Sequence, residues 1–297
     1  MIRRRSYVPL NQNREELTEK GLELFNFVAN DGEIHNYIAD RIPAHWHREL
    51  EIFLLLSGRV RIGFGDHVMD LNPGEGCLLN AGVLHSFLAL TEEPCRFHSF
   101  VFDASVISGA PGSIFDTRYV RPYLTGGAAF VFFKADDAAF RDAFHAAFSA
   151  CETEETGYEF LVRSAVSRIL LLAAARSHSA RTLPAAPQQE QRLKELLGWI
   201  DDHLDRAVCV DDLARAAHVC PRECQRLFRR YLHCRPMEYL MQRRLLAAAR
   251  LLADTDEPVT AIAMKFAFSS PSHFSRQFRL ATGCTPTQYR ARLRPQA

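Results

Sequence analysis

The sequence predicts an α+β protein of two domains, a β-barrel with added helices followed by an all-α domain. Its 297 residues, 47% of them hydrophobic, are enough for two domains with separate cores. The hydrophobic pattern changes from short alternating runs to helical spacing after about residue 102. The charge changes as well: residues 188–297 contain 18 Lys and Arg against 12 Asp and Glu, a net +6, whereas residues 1–187 have a net −5. The basic part is the candidate for binding a polyanion.

Residues 32–102 have the pattern of a small barrel or sandwich, because short strand-like runs alternate with Gly and Pro. Helical spacing then takes over, with Phe140, Phe144 and Phe148 four residues apart. A second helix is predicted around 160–172. We expect these two helices to pack on the barrel or on a second subunit. The four strand-like runs are Glu51–Leu56, Arg59–Phe64, Gly76–Leu79 and Arg96–Phe102.

The boundary between the two domains is predicted from a loss of periodicity. Residues 177–191 are rich in Ala, Pro, Gln and Ser and show neither helical nor strand spacing. We therefore place the N-terminal domain at 1–180, a linker at 181–191 and the C-terminal domain at 192–297.

Export and membrane insertion are not indicated. The polar stretch Leu10–Glu16 interrupts any signal-peptide core, and the longest apolar run, Ile169–Ala175, is far shorter than the roughly 20 residues of a membrane helix. Eight cysteines lack Cys-x2-Cys spacing, which argues against a zinc finger or a disulfide scaffold. We expect a cytoplasmic protein with reduced thiols and no membrane partner.

One motif occurs twice near the C-terminal end, at an offset of 50 residues. Arg-x-Phe-Arg-x4-Cys-x-Pro-x2-Tyr spans Arg226 to Tyr239 and again Arg276 to Tyr289. Each copy continues a helix opened by a proline and preceded by a short helix and a turn, which is a helix-turn-helix outline. The alanine-rich stretch 237–253 predicts a helix between the copies. Such an internal repeat indicates a duplicated structural unit.

The second helix of each copy is predicted to present hydrogen-bond donors opposite an apolar face. Arginine can bridge guanine and glutamine can bridge adenine, and arginine also neutralises phosphate, so these faces suit the major groove of DNA. If both helices enter one face of a duplex, their sites lie about 10 bp apart. The alternative is an ordinary bundle with solvated arginines. The predicted DNA-contacting residues are Arg222, Gln225, Arg226 and Arg229 in the first copy and Ser272, His273, Ser275, Arg276 and Arg279 in the second.

The run Phe268–Arg279, followed by Gly283–Arg290, resembles the signature of the AraC/XylS family of bacterial transcriptional regulators. The resemblance covers roughly residues 190–294. It implies a seven-helix domain with two helix-turn-helix units that binds promoter DNA, more often as an activator than as a repressor. RNA polymerase would then be a further partner. Ala267 departs from the pattern, since the family commonly has Gly there.

A histidine-rich segment precedes the predicted strands. His45, His47 and Glu51 share a strand face by parity, and His85 follows a second turn. Three imidazoles and a carboxylate suit Mn, Fe, Ni or Zn. Both segments resemble the two motifs of the cupin superfamily, with Asn80 where Pro is expected. The resemblance implies a cupin-like β-barrel, the usual partner of AraC-type DNA-binding domains.

Two functions for this segment stay open. In the favoured one, the barrel mouth binds a small polar effector without metal, and ring stacking suits a sugar or a sugar derivative. In the other, a divalent metal binds, either in a metal-responsive regulator or in a metal-dependent cupin enzyme. The histidines could also simply satisfy one another. The predicted effector-binding residues are His45, Trp46, His47, Glu51 and His85, and the predicted metal ligands are His45, His47, Glu51 and His85.

The leading hypothesis is a non-enzymatic regulator that needs no cofactor. Its partners would be double-stranded promoter DNA, a small-molecule effector and a second copy of the chain, bound through the helices around 136–176. An effector would shift the population between arrangements of the protein. Thiol sensing by Cys220 and Cys224, which lie about one helical turn apart, is a weaker alternative.

Overall fold

The computed structural model describes residues 2–3, 25–65, 67–177, 188–232 and 234–293. The chain divides into two compact units between Pro187 and Gln188. The predicted linker 181–191 is too long at its C-terminal end, because residues 188–191 already belong to a helix. Gln and Glu are good helix formers, so the composition that suggested a linker also suits a first helical turn. Residues 181–187 lie outside the described residues.

The first unit contains two β-sheets. A six-stranded sheet has the order β1-β2-β9-β4-β7-β10 and a four-stranded sheet has the order β3-β8-β5-β6, in the numbering given below. All pairs are antiparallel except β1 with β2. The strands are β1 Ile2–Arg3, β2 Phe27–Glu33, β3 Arg41–His45, β4 Leu50–Leu55, β5 Val60–Phe64, β6 His67–Leu71, β7 Gly76–Leu79, β8 His85–Ala89, β9 Arg96–Phe102 and β10 Phe130–Phe133.

Helices follow and interrupt the strands of this unit. Two 3-10 turns, Ile34–Asn36 and Ile38–Asp40, connect β2 to β3, and a π-helical turn covers Asp116–Val120. The predicted pair of helices is present as α3 and α4, but Phe160 and Leu161 at the start of α4 are 75% and 63% exposed. The α-helices are α1 Ser105–Ser108, α2 Arg121–Gly126, α3 Ala138–Thr153 and α4 Tyr158–Ser177.

Strand β4 is the centre of the first unit, because both of its faces are buried. Leu50, Ile52 and Leu54 point to the core that the sheet shares with α3 and α4. Phe53 and Leu55 point to the other side, into a core formed with β5 and β8 of the second sheet. The alternation explains why this strand is an unbroken apolar run after its second residue. That second residue, Glu51, has the same parity as Phe53.

The second unit is helical, which confirms the predicted fold class. Its two helix-turn-helix pairs are α6 with α7 and α9 with α10, and α8 joins them. Phe228 and Phe278, which are equivalent in the repeat, are fully buried, and each lies edge-on to the repeat tyrosine, Tyr239 or Tyr289. The helices described are α5 Gln188–Asp201, α6 Val210–Ala216, α7 Pro221–Leu232, α8 Pro236–Asp254, α9 Val259–Lys265, α10 Pro271–Thr282 and α11 Pro286–Leu293. Of the helices in the described residues, none has the length and apolarity to cross a membrane.

Three arginines of this basic unit have structural partners instead of facing solvent. Arg243 forms a bidentate pair with Asp201, at 2.6 and 3.0 Å. Arg244 donates to the backbone carbonyl of Leu204 before the first pair, at 3.1 Å. Arg290 donates to the carbonyl of Leu252 before the second pair, at 3.4 Å. The net charge of the unit therefore overstates the positive charge available to a ligand.

Each helix-turn-helix turn contains a non-glycine residue in the left-handed region. His218 has φ 54° after α6, and Ala267 has φ 52° after α9. A Cβ atom makes this conformation costly, by roughly 1–2 kcal/mol, and glycine avoids the cost. Gly283 shows the favourable case at φ 73° after α10. The missing family glycine at Ala267 therefore leaves the turn in place but strained.

We predict that Ala267→Gly stabilises the helical unit by about 1 kcal/mol, because the substitution relieves the left-handed conformation. Urea unfolding followed by helical circular dichroism measures the change. Ala261→Gly is the control, since Ala261 is an exposed position inside α9. That variant should lose about 1 kcal/mol. Destabilisation by both substitutions would contradict the account of the turn.

Candidate functional site

Four buried polar side chains converge at one end of the two sheets. His45 ends β3, Glu51 is the second residue of β4, His85 begins β8, and His47 lies in the connection between β3 and β4. His45 and His85 are direct partners in the β3–β8 ladder. The four residues are only 2–6% exposed. One ligand atom from each lies within 4.8 Å of the other three.

The outer nitrogen of every imidazole in this cluster is held by the backbone. Nδ1 of His45 donates to the carbonyl oxygen of Pro43 at 2.8 Å, Nδ1 of His47 to that of Glu49 at 3.0 Å, and Nδ1 of His85 to that of Val83 at 2.8 Å. A carbonyl oxygen only accepts, so each Nδ1 carries a hydrogen. In the neutral rings, Nε2 is therefore a lone-pair donor. This is the orientation in which histidines ligate metals.

The inner nitrogens meet the carboxylate of Glu51. Its Oε2 lies 3.3 Å from Nε2 of His47 and 3.0 Å from Nε2 of His85. Nε2 of His85 is buried and has no aligned hydrogen-bond partner among the described residues. Two neutral imidazole lone pairs facing a carboxylate repel one another, so the arrangement needs a cation, either extra protons or a metal ion.

Burial disfavours an extra proton on one of the three imidazoles, that of His45. Desolvation lowers the pKa of His45 well below its ordinary value, and the neighbouring imidazoles of His85 and His47 lower it further. Burial on its own would raise the pKa of Glu51, but its contacts with His47 and His85 outweigh burial and hold the pKa well below the usual range. The carboxylate is thus anionic, and protonation of His45 is disfavoured. The set of three imidazoles and one carboxylate fits a divalent transition metal.

Two further residues flank the cluster. Trp46, predicted to bind an effector, is half-buried and is not one of the converging groups. Asn80, the departure from the expected Pro, is buried and donates from Nδ2 to the carbonyls of Tyr123 at 3.1 Å and Ala128 at 3.4 Å. Asn80 therefore ties the end of β7 to the α2 segment. The sequence shows that Asn80 replaces the expected Pro, but it does not indicate the two carbonyl groups that accept hydrogen bonds from Asn80.

The donor face predicted for α7 is exposed. Arg222, Gln225, Arg226 and Arg229 all lie on the solvent side, while Cys224 and the apolar residues of the helix are buried. Burial raises the pKa of the Cys224 thiol to about 11, which keeps it protonated and disfavours its use as a thiol sensor. The helix thus has the predicted amphipathic arrangement.

The face of α7 does not consist of donors alone, as the sequence pattern suggested. Glu223, which the sequence analysis did not single out, accepts from Nε of Arg226 at 2.8 Å and from Nη2 at 2.7 Å. This contact holds the pKa of Glu223 below its ordinary value. The i, i+3 spacing could have revealed the pair, because it places the two side chains next to each other on a helix.

The predicted face of α10 is also accessible. Ser272, Arg276 and Arg279 are exposed, and Ser275 and His273 are half-buried. His273 contacts Ser269 through Nδ1 at 3.1 Å, and its backbone N–H donates to the N-cap Ser270 at 3.1 Å. Within the described residues, neither Arg276 nor Arg279 forms an ion pair. Both guanidinium groups are available to a phosphate or a base.

Comparisons with known proteins match each of the two units. Residues 27–170 match the AraC-like ligand binding domain, and residues 213–292 match a helix-turn-helix domain. The HTH-type transcriptional regulator YdeC of Bacillus subtilis is 24% identical over 291 residues, 95% of this chain and 97% of YdeC. Regulatory protein SoxS of Salmonella typhimurium is 39% identical over 104 residues, 35% of this chain and 97% of SoxS.

A solved structure is similar to part of the chain. It is a transcriptional regulator from Chromobacterium violaceum with an AraC-type DNA-binding domain, 30% identical, and the match covers 36% of this chain and 96% of that one with a TM-score of 0.35. Both relatives are named as regulators, which agrees with the expectation of a regulator and not of an enzyme. With a relative 39% identical over nearly its whole length, this chain belongs to the AraC family of helix-turn-helix transcriptional regulators.

Proposed function

We propose that this DNA-binding regulator is controlled by a divalent metal ion held by His45, His47, Glu51 and His85. The observation that carries the proposal is the commitment of all three Nδ1 atoms to backbone carbonyls. It leaves the Nε2 lone pairs of His47 and His85 directed at a buried carboxylate, with a ligand atom of His45 within 4.8 Å. A divalent cation would neutralise the carboxylate and accept those lone pairs. The alternative with an empty, cation-free cluster leaves buried polar atoms unsatisfied.

A sugar effector has less support than a metal ion. The four ligand atoms lie within 4.8 Å of one another, and that spacing leaves no gap for a sugar ring among them. The space between the two sheets is occupied by stacked rings, with Phe53 at 4.4 Å from Phe87 and 4.9 Å from Phe97. A sugar would have to bind outside the cluster, where Trp46 is the residue able to stack on it. A small organic effector of this kind remains a prediction.

Metal binding would join parts of the first unit that come from both sheets. His45 and His85 belong to the four-stranded sheet and Glu51 to the six-stranded sheet. An ion bound by all three would favour arrangements in which these strand ends stay together. Such differential binding is what allows a ligand to shift a population and so to change DNA affinity. Activation, which the family resemblance implies, is the proposed outcome at the promoter.

We also propose that the chain forms a homodimer through α4. Phe160 and Leu171 are 75% and 54% exposed and lie eleven residues, about three turns, apart, so they share one face of the helix. Leu161, 63% exposed, lies beside Phe160. The opposite side of α4 packs into the core with α3. A row of exposed apolar side chains on a helix whose opposite side is buried is typical of an association surface.

Protein purified without chelator should contain about one divalent metal ion per chain, and Glu51→Gln should reduce metal affinity by about tenfold or more because it removes the anionic ligand. Elemental analysis and metal titration measure this. His145→Ala is the control, since His145 is exposed on α3. Equal metal binding by wild type and Glu51→Gln would contradict the assignment.

Arg276→Ala should weaken operator binding by about 1–3 kcal/mol at one base pair if Arg276 recognises a base. If it holds a phosphate, the loss should be uniform across sequences, with a lower salt dependence. Footprinting upstream of the chain's own or adjacent genes defines the operator, and gel-shift titration measures affinity. Lys265→Ala is the control, because Lys265 lies on α9 and not on α10, and its charge is paired with Glu257 at 3.2 Å. If Arg276→Ala binds the operator with the affinity of the wild type, the proposed contact between Arg276 and DNA is refuted.

The double variant Phe160→Glu with Leu171→Glu should be monomeric where the wild type is dimeric, because two carboxylates would be desolvated at the proposed contact. Sedimentation velocity distinguishes the states. Leu280→Glu serves as the control because Leu280 is 73% exposed in the helical unit. A dimer that persists in the double variant places the interface elsewhere.

A further inference from the structure

The two copies of the DNA-contacting helix differ at one charged position. In α7 the residue before the buried Cys224 is Glu223, and at the offset of 50 its equivalent in α10 is His273. Arg226 and Arg276 are equivalent in the same way. Arg226 donates two hydrogen bonds to a carboxylate, whereas Arg276 has no carboxylate partner among the described residues.

The pair with Glu223 occupies one edge of the Arg226 guanidinium. The carboxylate takes Nε–H and one Nη2–H. A guanidinium has five N–H groups, so one Nη2–H and both Nη1–H remain. The free Nη2–H and one Nη1–H form a second fork, at the end of the planar group beside the edge that Glu223 occupies. A fork of this kind matches O6 and N7 of guanine.

The contact also restricts where Arg226 can point. Both partners are accessible to solvent, with side chains 59% and 28% exposed, so the pair itself adds little to stability. Glu223 lies in the first turn of α7, where a carboxylate is favoured by the helix dipole. The acid therefore stays in place while it orients the arginine. Its negative charge meanwhile opposes the approach of phosphate.

From these contacts we infer that Glu223 is a specificity-determining residue of the first helix-turn-helix unit. It directs the free fork of Arg226 to a guanine and disfavours DNA placed so that phosphate lies against this part of α7. Arg276, which has no such partner, is free to follow a phosphate. The inference rests on the proposed DNA contact by α7. It assigns base selection to α7 and phosphate binding to α10.

The test compares full-length wild type with Glu223→Gln by gel-shift titration. Two duplexes are used, the footprinted operator and a scrambled duplex of equal length, over a salt series. Glu223→Gln should bind the scrambled duplex more tightly and lower the ratio of specific to non-specific affinity by about tenfold. In an Arg226→Ala background, the same substitution should leave discrimination at the guanine unchanged, because the oriented group is absent.

Glu238→Gln is the matched control. Glu238 is also in the first turn of its helix, is exposed, and lies near an arginine three residues away, Arg235, but on α8. Its substitution should not lower the specificity ratio. An unchanged ratio in Glu223→Gln, or an equal fall in Glu238→Gln, overturns the inference. A wild type without sequence-specific binding would instead overturn the proposed DNA contact, so the two failures are distinguishable.

Discussion

A carboxylate buried among three imidazoles is the constraint on which the first unit depends. Glu51 can be there only because β4 is buried on both faces, which carries its second residue into the space between the sheets. Hydrogen bonds to three backbone carbonyls then fix the imidazole tautomers. A buried carboxylate that faces imidazole lone pairs is costly in free energy unless a positive charge lies between them. The metal ion proposed for this cluster would supply that charge.

In the second unit the duplicated aromatic core keeps two surface helices available. Phe228 and Phe278 pack against the repeat tyrosines, and this common packing lets the opposite faces differ. The first face carries an arginine oriented by Glu223, and the second carries two arginines without carboxylate partners among the described residues. A regulator built in this way can obtain sequence selectivity from one helix-turn-helix pair and electrostatic affinity from the other.

Much of this architecture could be predicted from the sequence. The repeat predicted a helix opened by a proline, and α10 does begin at Pro271 and ends before Gly283. His45, His47 and Glu51 do lie together, but they do not share one strand face as parity predicted, because His45 ends β3, His47 lies in the connection and Glu51 belongs to β4. The Nδ1 partners could not be predicted, since they depend on the conformation of short connections. The inward roles of Arg243, Arg244 and Arg290 also escaped prediction, because arginine on a basic helix usually faces solvent.

The most direct test of the central claim is an anomalous difference map from crystals of protein purified without chelator, recorded on both sides of the absorption edge of the metal found. The account predicts one peak per chain, enclosed by Nε2 of His45, His47 and His85 and the carboxylate of Glu51. A map without a peak there, with the same imidazole orientations and the protein still binding its operator, would contradict a metal-controlled regulator.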